Sequence, residues 1–204
     1  NSGETLRIRA LRAGRLVVIA VAGLQVPETL GSASTYARAG IGKPLAVGDR
    51  LSAQLTEASD FLLPEPPSDD DSIIRVVAGP QAGHFLDDAL ATLCGAPFTV
   101  TDQADRMGVR PLLEHRSEAH KDIISDATVP GSMQVPGSGQ PIVLLADAQT
   151  AGGYPKIATV ISADLGRLAN RRAGETLRFQ MVDVDAAERA ARSHAENLAQ
   201  LIAS

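Results

Sequence analysis

Apolar text in this chain comes only in short runs. TLRIRAL (5–11), RLVVIAV (15–21), GDRLSAQLT (48–56), IIRVVAG (73–79), PFTVTDQ (97–103), PIVLLAD (141–147), KIATVIS (156–162) and TLRFQMVDV (176–184) stand apart, separated by Gly/Pro/Ser-rich or charged text. Runs of this length that alternate apolar and polar residues, or are rich in β-branched ones, are strands. Many short strands with glycine-rich turns build a barrel or sandwich. The chain is therefore expected to be mainly β with a few helices. With aromatics at 3% and no Trp, its core must be Val, Ile, Leu and Ala. The most apolar run, LVVIAVAGL, is far short of the roughly 20 residues a membrane-spanning helix needs.

Helical spacing shows in three places. HFLDDALATLCG (84–95) repeats Phe85, Leu86, Ala89, Leu90 and Leu93 on one face, with Gly95 as the expected C-cap. ADLGRLANR (163–171) reads as a short helix. The tail, 186–204, sets Ala187, Ala191, Leu198, Leu201 and Ile202 on one face, suited to packing on the body or on a partner. Between the halves, LLPEPPSDDDS (62–72) is too rich in proline and aspartate for a core element. The expected division is a β-rich part over 1–62, a linker over 63–72, a β-barrel over 73–185 and an amphipathic helix over 186–204. GETLR occurs at 3–7 and again at 174–178, too short a match for a repeat.

Several chemistries lack their residues. A net charge of -5 argues against nucleic acid, whose phosphates call for a basic surface. GIGKP (40–44) is not a phosphate-binding loop, and no G-x-S-x-G elbow is present. The four histidines are scattered, and His115 and His120 lie five apart, off one helical face. Cys94 stands alone in an apolar helical pattern, as a buried inert thiol does. A single cysteine permits no internal disulfide and fits the cytoplasm.

Polar residues beside glycine concentrate in three blocks: DRMGVR (105–110), GSMQVPGSGQPI (131–142) and DAQTAGGY (147–154). In this order they resemble the allophanate hydrolase subunit 2 family, whose members are also called the C subunit of 5-oxoprolinase. That family is homologous to part of the carboxyltransferase domain of urea carboxylase. AVAGLQVPETLGSASTYARAGIG (20–42), followed by Gly48–Asp49, is similar to a further segment of it. Leu24 replaces the second glycine of the usual pair, the loop after Tyr36 is shorter, and Pro111 stands where leucine is usual. The family's N-terminal third, with its Q-D-x-G-R motif, has no counterpart here, so the chain is expected to be a fragment. The resemblance implies a cyclophilin-like β-barrel preceded by a partial β-rich subdomain. It implies one subunit of an ATP-dependent hydrolase opening 5-oxoproline to glutamate; lacking a phosphate loop, a metal cluster and a nucleophile–base pair, the chain is expected to be silent alone. The implied partners are homologues of the B subunit of 5-oxoprolinase and of its A subunit, with ATP used in the complex. Alternatives are an allophanate or urea-amide hydrolase or carboxyltransferase subunit, or a regulatory module paired with a kinase-inhibitor homologue. No Met-Lys-Met biotin acceptor is present.

Two readings of 147–156 stand. In the structural one, Gly152 and Gly153 make a tight hairpin, Asp147 caps it and Tyr154 packs on the barrel end. In the functional one, Gln134 and Gln149 match an amide's own N–H and C=O, and Asp147 accepts a proton or orients substrate. Lys156 and Arg106 then offset charge developing on substrate, while Thr150, Gly152, Gly153 and Tyr154 line it. GSASTY (31–36) reads first as Ser and Thr side chains satisfying their own backbone.

Overall fold

The computed structural model of the chain describes residues 18–54, 72–112 and 123–203, with 5, 7 and 14–16. His115, His120, most of TLRIRAL and most of the proline-aspartate stretch lie outside the described residues. The chain divides into two compact units, one of residues 17–63 and one of residues 1–16 and 64–204.

Among its described residues the smaller unit holds one antiparallel ribbon, β1 (Leu24–Gln25) against β2 (Ser52–Ala53), with Leu24 opposite Ala53. Tyr36 and Ile41 bridge around a 3-10 turn at Ala37–Ala39. Asp49 accepts from the Ala46 amide and from Lys43, and these bonds hold its carboxyl below the usual range. None of the unit's described residues is buried. RLVVIAV was expected as a buried strand, yet residues 18–21 form none, and Val18, Ile19 and Val21 are exposed. Two strands of two residues make no sheet face against which such a strand could bury its side chains.

The larger unit is mainly β. Its elements are β3 (Ile73–Ala78), α1 (Ala89–Gly95), β4 (Pro97–Val100), β5 (Gly108–Val109), β6 (Pro111–Leu112) and β7 (Asp126–Ala127). There follow β8 (Ser132–Gln134), β9 (Ile142–Leu144), β10 (Ala151–Gly152), β11 (Lys156–Val160), α2 (Leu165–Ala169), β12 (Thr176–Met181) and α3 (Val184–Ala203). Eight strands form one sheet in the order β5-β9-β8-β11-β3-β12-β4-β6. Its edge strands β5 and β6 are separated in the chain only by Arg110, so the sheet nearly closes into a barrel. β12 runs parallel to β3 and antiparallel to β4.

Alternation decides which side chains enter the barrel. Ile74 and Val76 of β3, Phe98 and Val100 of β4, and Leu177 and Phe179 of β12 are buried. Phe98 meets Phe179 edge to face, with ring centroids 5.0 Å apart. Truncating either ring to Ala removes about 3–5 kcal/mol of packing. α1 starts at Ala89, after a 3-10 turn at Ala82–His84, and seats Ala89 and Leu93 in the core. Gly95 is its last residue, and Ala96, in extended geometry, is the cap instead. In α3 the alanines of the first turns are partly buried, while Leu198 and Ile202 are exposed.

Candidate functional site

Lys156 opens β11 and is only 2% exposed. Opposite β8 the register shifts, pairing Lys156 with Gln134 but Ala158 with Met133, a bulge that re-aims the first side chain of the strand. A buried ammonium is stable only if paired. Here Nζ donates to Asp126 Oδ2 at 2.7 Å and to the Ala127 carbonyl at 2.8 Å. Asp126, 48% exposed, lies in β7 directly across from Gly152 in β10. The Lys156 bond, with the Ala127 amide and Gln81, holds the Asp126 carboxyl below its usual range.

Gln134 is equally buried, and its Oε1 accepts from Gln149 Nε2 at 3.4 Å. Its own Nε2 has no acceptor among the described residues. A Cβ at Gly152 would stand 2.7 Å from that nitrogen, so glycine is what lets β10 close over the carboxamide. Thr128 ties this layer down, its hydroxyl donating to the Gln149 carbonyl and its amide to the Thr150 carbonyl at 2.9 Å. Ile123 donates to the Gly153 carbonyl at 3.4 Å, and Tyr154 is about half exposed.

The hairpin reading of this stretch fails. β9 and β11 do not pair; both flank β8, and Gly152 is a strand residue opposite β7, not a turn. Asp147 is held separately: Arg106 grips it with Nε at 2.9 Å from Oδ2 and Nη2 at 3.0 Å from Oδ1. Arg106 is 69% exposed, and its carbonyl accepts from the Asp147 amide at 3.1 Å. The residues expected from the sequence thus fall into two groups. Lys156 and Gln134 lie buried beside the β7–β10 ribbon, with Gly152 over the Gln134 carboxamide and the exposed Gln149 bonded to it; Thr150, Gly153 and Tyr154 follow along the same stretch, whereas Arg106 and Asp147 are committed to each other at a surface turn.

The sequence did not single out Asp126, Thr128 or Gln81. Asp126 and Thr128 lie in SDAT (125–128), just ahead of the second glycine-flanked block, where polar residue types were the signal available. Gln81, in a loop after β3, carried none. Chemically, the cluster offers an ammonium with a near-neutralising carboxylate, and two carboxamides of which one donor is unspent. Such a set suits an amide or carboxylate ligand. Burial pushes the Cys94 thiol up, as an inert cysteine should show. Among the described residues no three His, Cys, Asp or Glu side chains gather as a metal site, and no helix is long and apolar enough to cross a membrane.

Residues 1–181 match the family described as carboxyltransferase domain, subdomain A and B. The C subunit of the Haemophilus influenzae 5-oxoprolinase is 36% identical over 98% of this chain, and that of Escherichia coli 32% identical over 98%. The chain spans 67% of the length of each. The crystal structure of the Kluyveromyces lactis urea carboxylase superposes with a TM-score of 0.72 at 23% identity, covering 88% of this chain and 18% of that one, a likeness of fold.

Proposed function

The chain belongs to the family of carboxyltransferase domains, subdomains A and B, and from that premise we propose that it serves as one subunit of an ATP-dependent hydrolase opening 5-oxoproline to glutamate. The observation that carries the reading is the buried Gln134 carboxamide, its Nε2 unspent, directly across the register from Lys156. A lactam presents one N–H and one C=O on adjacent atoms. Gln134 and Gln149 supply the matching donors and acceptors, and the Lys156 ammonium offsets charge as the lactam oxygen gains it. Thr150, Gly152, Gly153 and Tyr154 line the substrate, and Asp147, held by Arg106 at a surface turn apart from this cluster, orients it on its approach. Identity of 36% to the C subunit of a 5-oxoprolinase supports the cyclic amide over a urea-derived one.

In this reading ATP is bound in the assembled complex, in the cytoplasm, and the partners are homologues of the B and A subunits of 5-oxoprolinase. The test is to co-purify the chain with its neighbouring-gene products and measure ATP-dependent glutamate release from 5-oxoproline, with urea and allophanate as parallel substrates. Turnover of 5-oxoproline by the mixture and none by the chain alone is expected. Turnover by the chain alone, or of the urea-derived amides only, would overturn the reading.

A further inference from the structure

The loop after β3 is shaped around Lys156. A Cβ at Gly79 would stand 2.2 Å from the Lys156 carbonyl oxygen and 2.7 Å from the Ala158 nitrogen, so only glycine lets the loop lie on the start of β11. Two residues later the Gln81 amide donates to that carbonyl at 3.3 Å. The Gln81 side chain then uses both its ends. Oε1 accepts from the Lys156 amide at 3.2 Å, and Nε2 donates to Asp126 Oδ2 at 3.1 Å. That same oxygen accepts from Lys156 Nζ at 2.7 Å. A ring of hydrogen bonds therefore runs from the Lys156 backbone through Gln81 and Asp126 to the ammonium at the tip of the same lysine.

We propose that Gln81 is a positioning residue: by bracing Asp126 against the β11 backbone it fixes where the buried Lys156 ammonium points. The proposal rests on the reading of Lys156 as the charge-bearing group of the site. Without the brace, Asp126 is a half-exposed side chain on a two-residue strand, able to turn to water. The lysine it holds has a flexible four-carbon stem. Only a carboxamide meets both demands, since it carries a donor for the carboxylate and an acceptor for the amide on one planar group. Leucine meets neither. A glutamate meets both only when protonated, because its ionised form sets a like charge against Asp126. Lys156 is the charged group on Asp126, and His84, exposed at the end of the loop, is that loop's titratable side chain.

The experiment uses Gln81→Leu and Gln81→Glu in the assembled enzyme, with the Asp126 carboxyl followed by carbon NMR in the purified chain. A misplaced charge costs on the order of a hundredfold in rate, so Gln81→Leu is expected to lower kcat ten- to a hundredfold with KM within about twofold. Gln81→Glu should be as poor at pH 8 and recover relative to the parent as the pH falls toward 5 and the new carboxyl takes up a proton. In the chain alone, loss of the Nε2 donor should move the Asp126 titration to higher pH. Unchanged kcat in folded Gln81→Leu, or a loss confined to KM, overturns the proposal. An unmoved Asp126 titration overturns it too, and that readout holds even where no substrate of the complex is turned over.

Discussion

The two ends of β11 each take a charge out of water, and they neutralise it differently. Just past the far end, Asp164 is 0% exposed. It accepts from the Arg75 amide at 2.8 Å, from Arg75 Nε at 3.0 Å and Nη2 at 2.6 Å, and pairs with Arg167 at 2.9 Å. Burial pushes its carboxyl up, but the Arg75 bonds and the two positive charges outweigh that and hold it below the usual range. At the near end, Lys156 is as deeply buried, yet its counter-charge is the half-exposed Asp126. One charge is enclosed by partners that pack around it. The other is held from the surface by a partner that water reaches. A buried ion whose counter-ion is accessible can exchange partners, which is what a functional group needs and a structural one does not.

The contrast is open to attack. The largest effect is expected at the enclosed end: Asp164→Ala removes the buried carboxylate that Arg75 and Arg167 share and should cost about 3–5 kcal/mol in chemical unfolding. The parent's Asp164 carboxyl ionises more readily folded than unfolded. Its contribution is therefore complete above the usual aspartate pKa of about 3.9 and fades as the pH drops through the lowered value. Parent and variant curves should converge in strong acid; parallel curves would show Asp164 to be electrostatically idle. Lys156→Met should do the reverse, with turnover of the complex falling about a hundredfold or more while stability drops by no more than about 1 kcal/mol, since the carboxylate left behind is hydrated. A stability loss equal to that of Asp164→Ala would erase the distinction. The smallest effect is expected for Asp147→Asn, about tenfold in turnover, or about 1.4 kcal/mol, with the melting temperature nearly unchanged. If activity holds and the protein melts several degrees lower, Asp147 is a turn cap.

The sequence carried the long strands and little of their pairing. β3, β4 and β12 bury alternate side chains, and that alternation is a local signal, while β11 is buried along nearly its whole length and shows instead as an apolar, β-branched run. The two-residue strands β5, β6, β7 and β10 are too short to show a period. A periodic run also does not say which strand lies beside it, so PIVLLAD and KIATVI read as a hairpin although β8 runs between them. The site followed the same rule. Lys156, Gln134 and Gln149 stand in glycine-flanked text, while the counter-ion Asp126 is 30 residues from Lys156 and the brace Gln81 is 75. Such partners are fixed by sheet order and by the close approach of Gly79, neither of which composition or spacing expresses.

Sheet order has a further consequence, in time. Of the eight strands in the sheet β12 is the last to be made, yet it lies between β3 and β4. While a ribosome is still working, both of those strands emerge with the slot between them vacant, their inward Ile74, Val76, Phe98 and Val100 uncovered. Pairing with β12 has to wait for the stretch that ends at Met181, the residue where the family match also stops. Long-range parallel pairing of this kind is slow, and unpaired edges attract other chains. Nascent chains arrested before Thr176 should be protease-sensitive and chaperone-bound, and those extended past Met181 and clear of the exit tunnel should be neither. The barrel is thus finished by its final stave, and the cell must shelter the rest until that stave arrives.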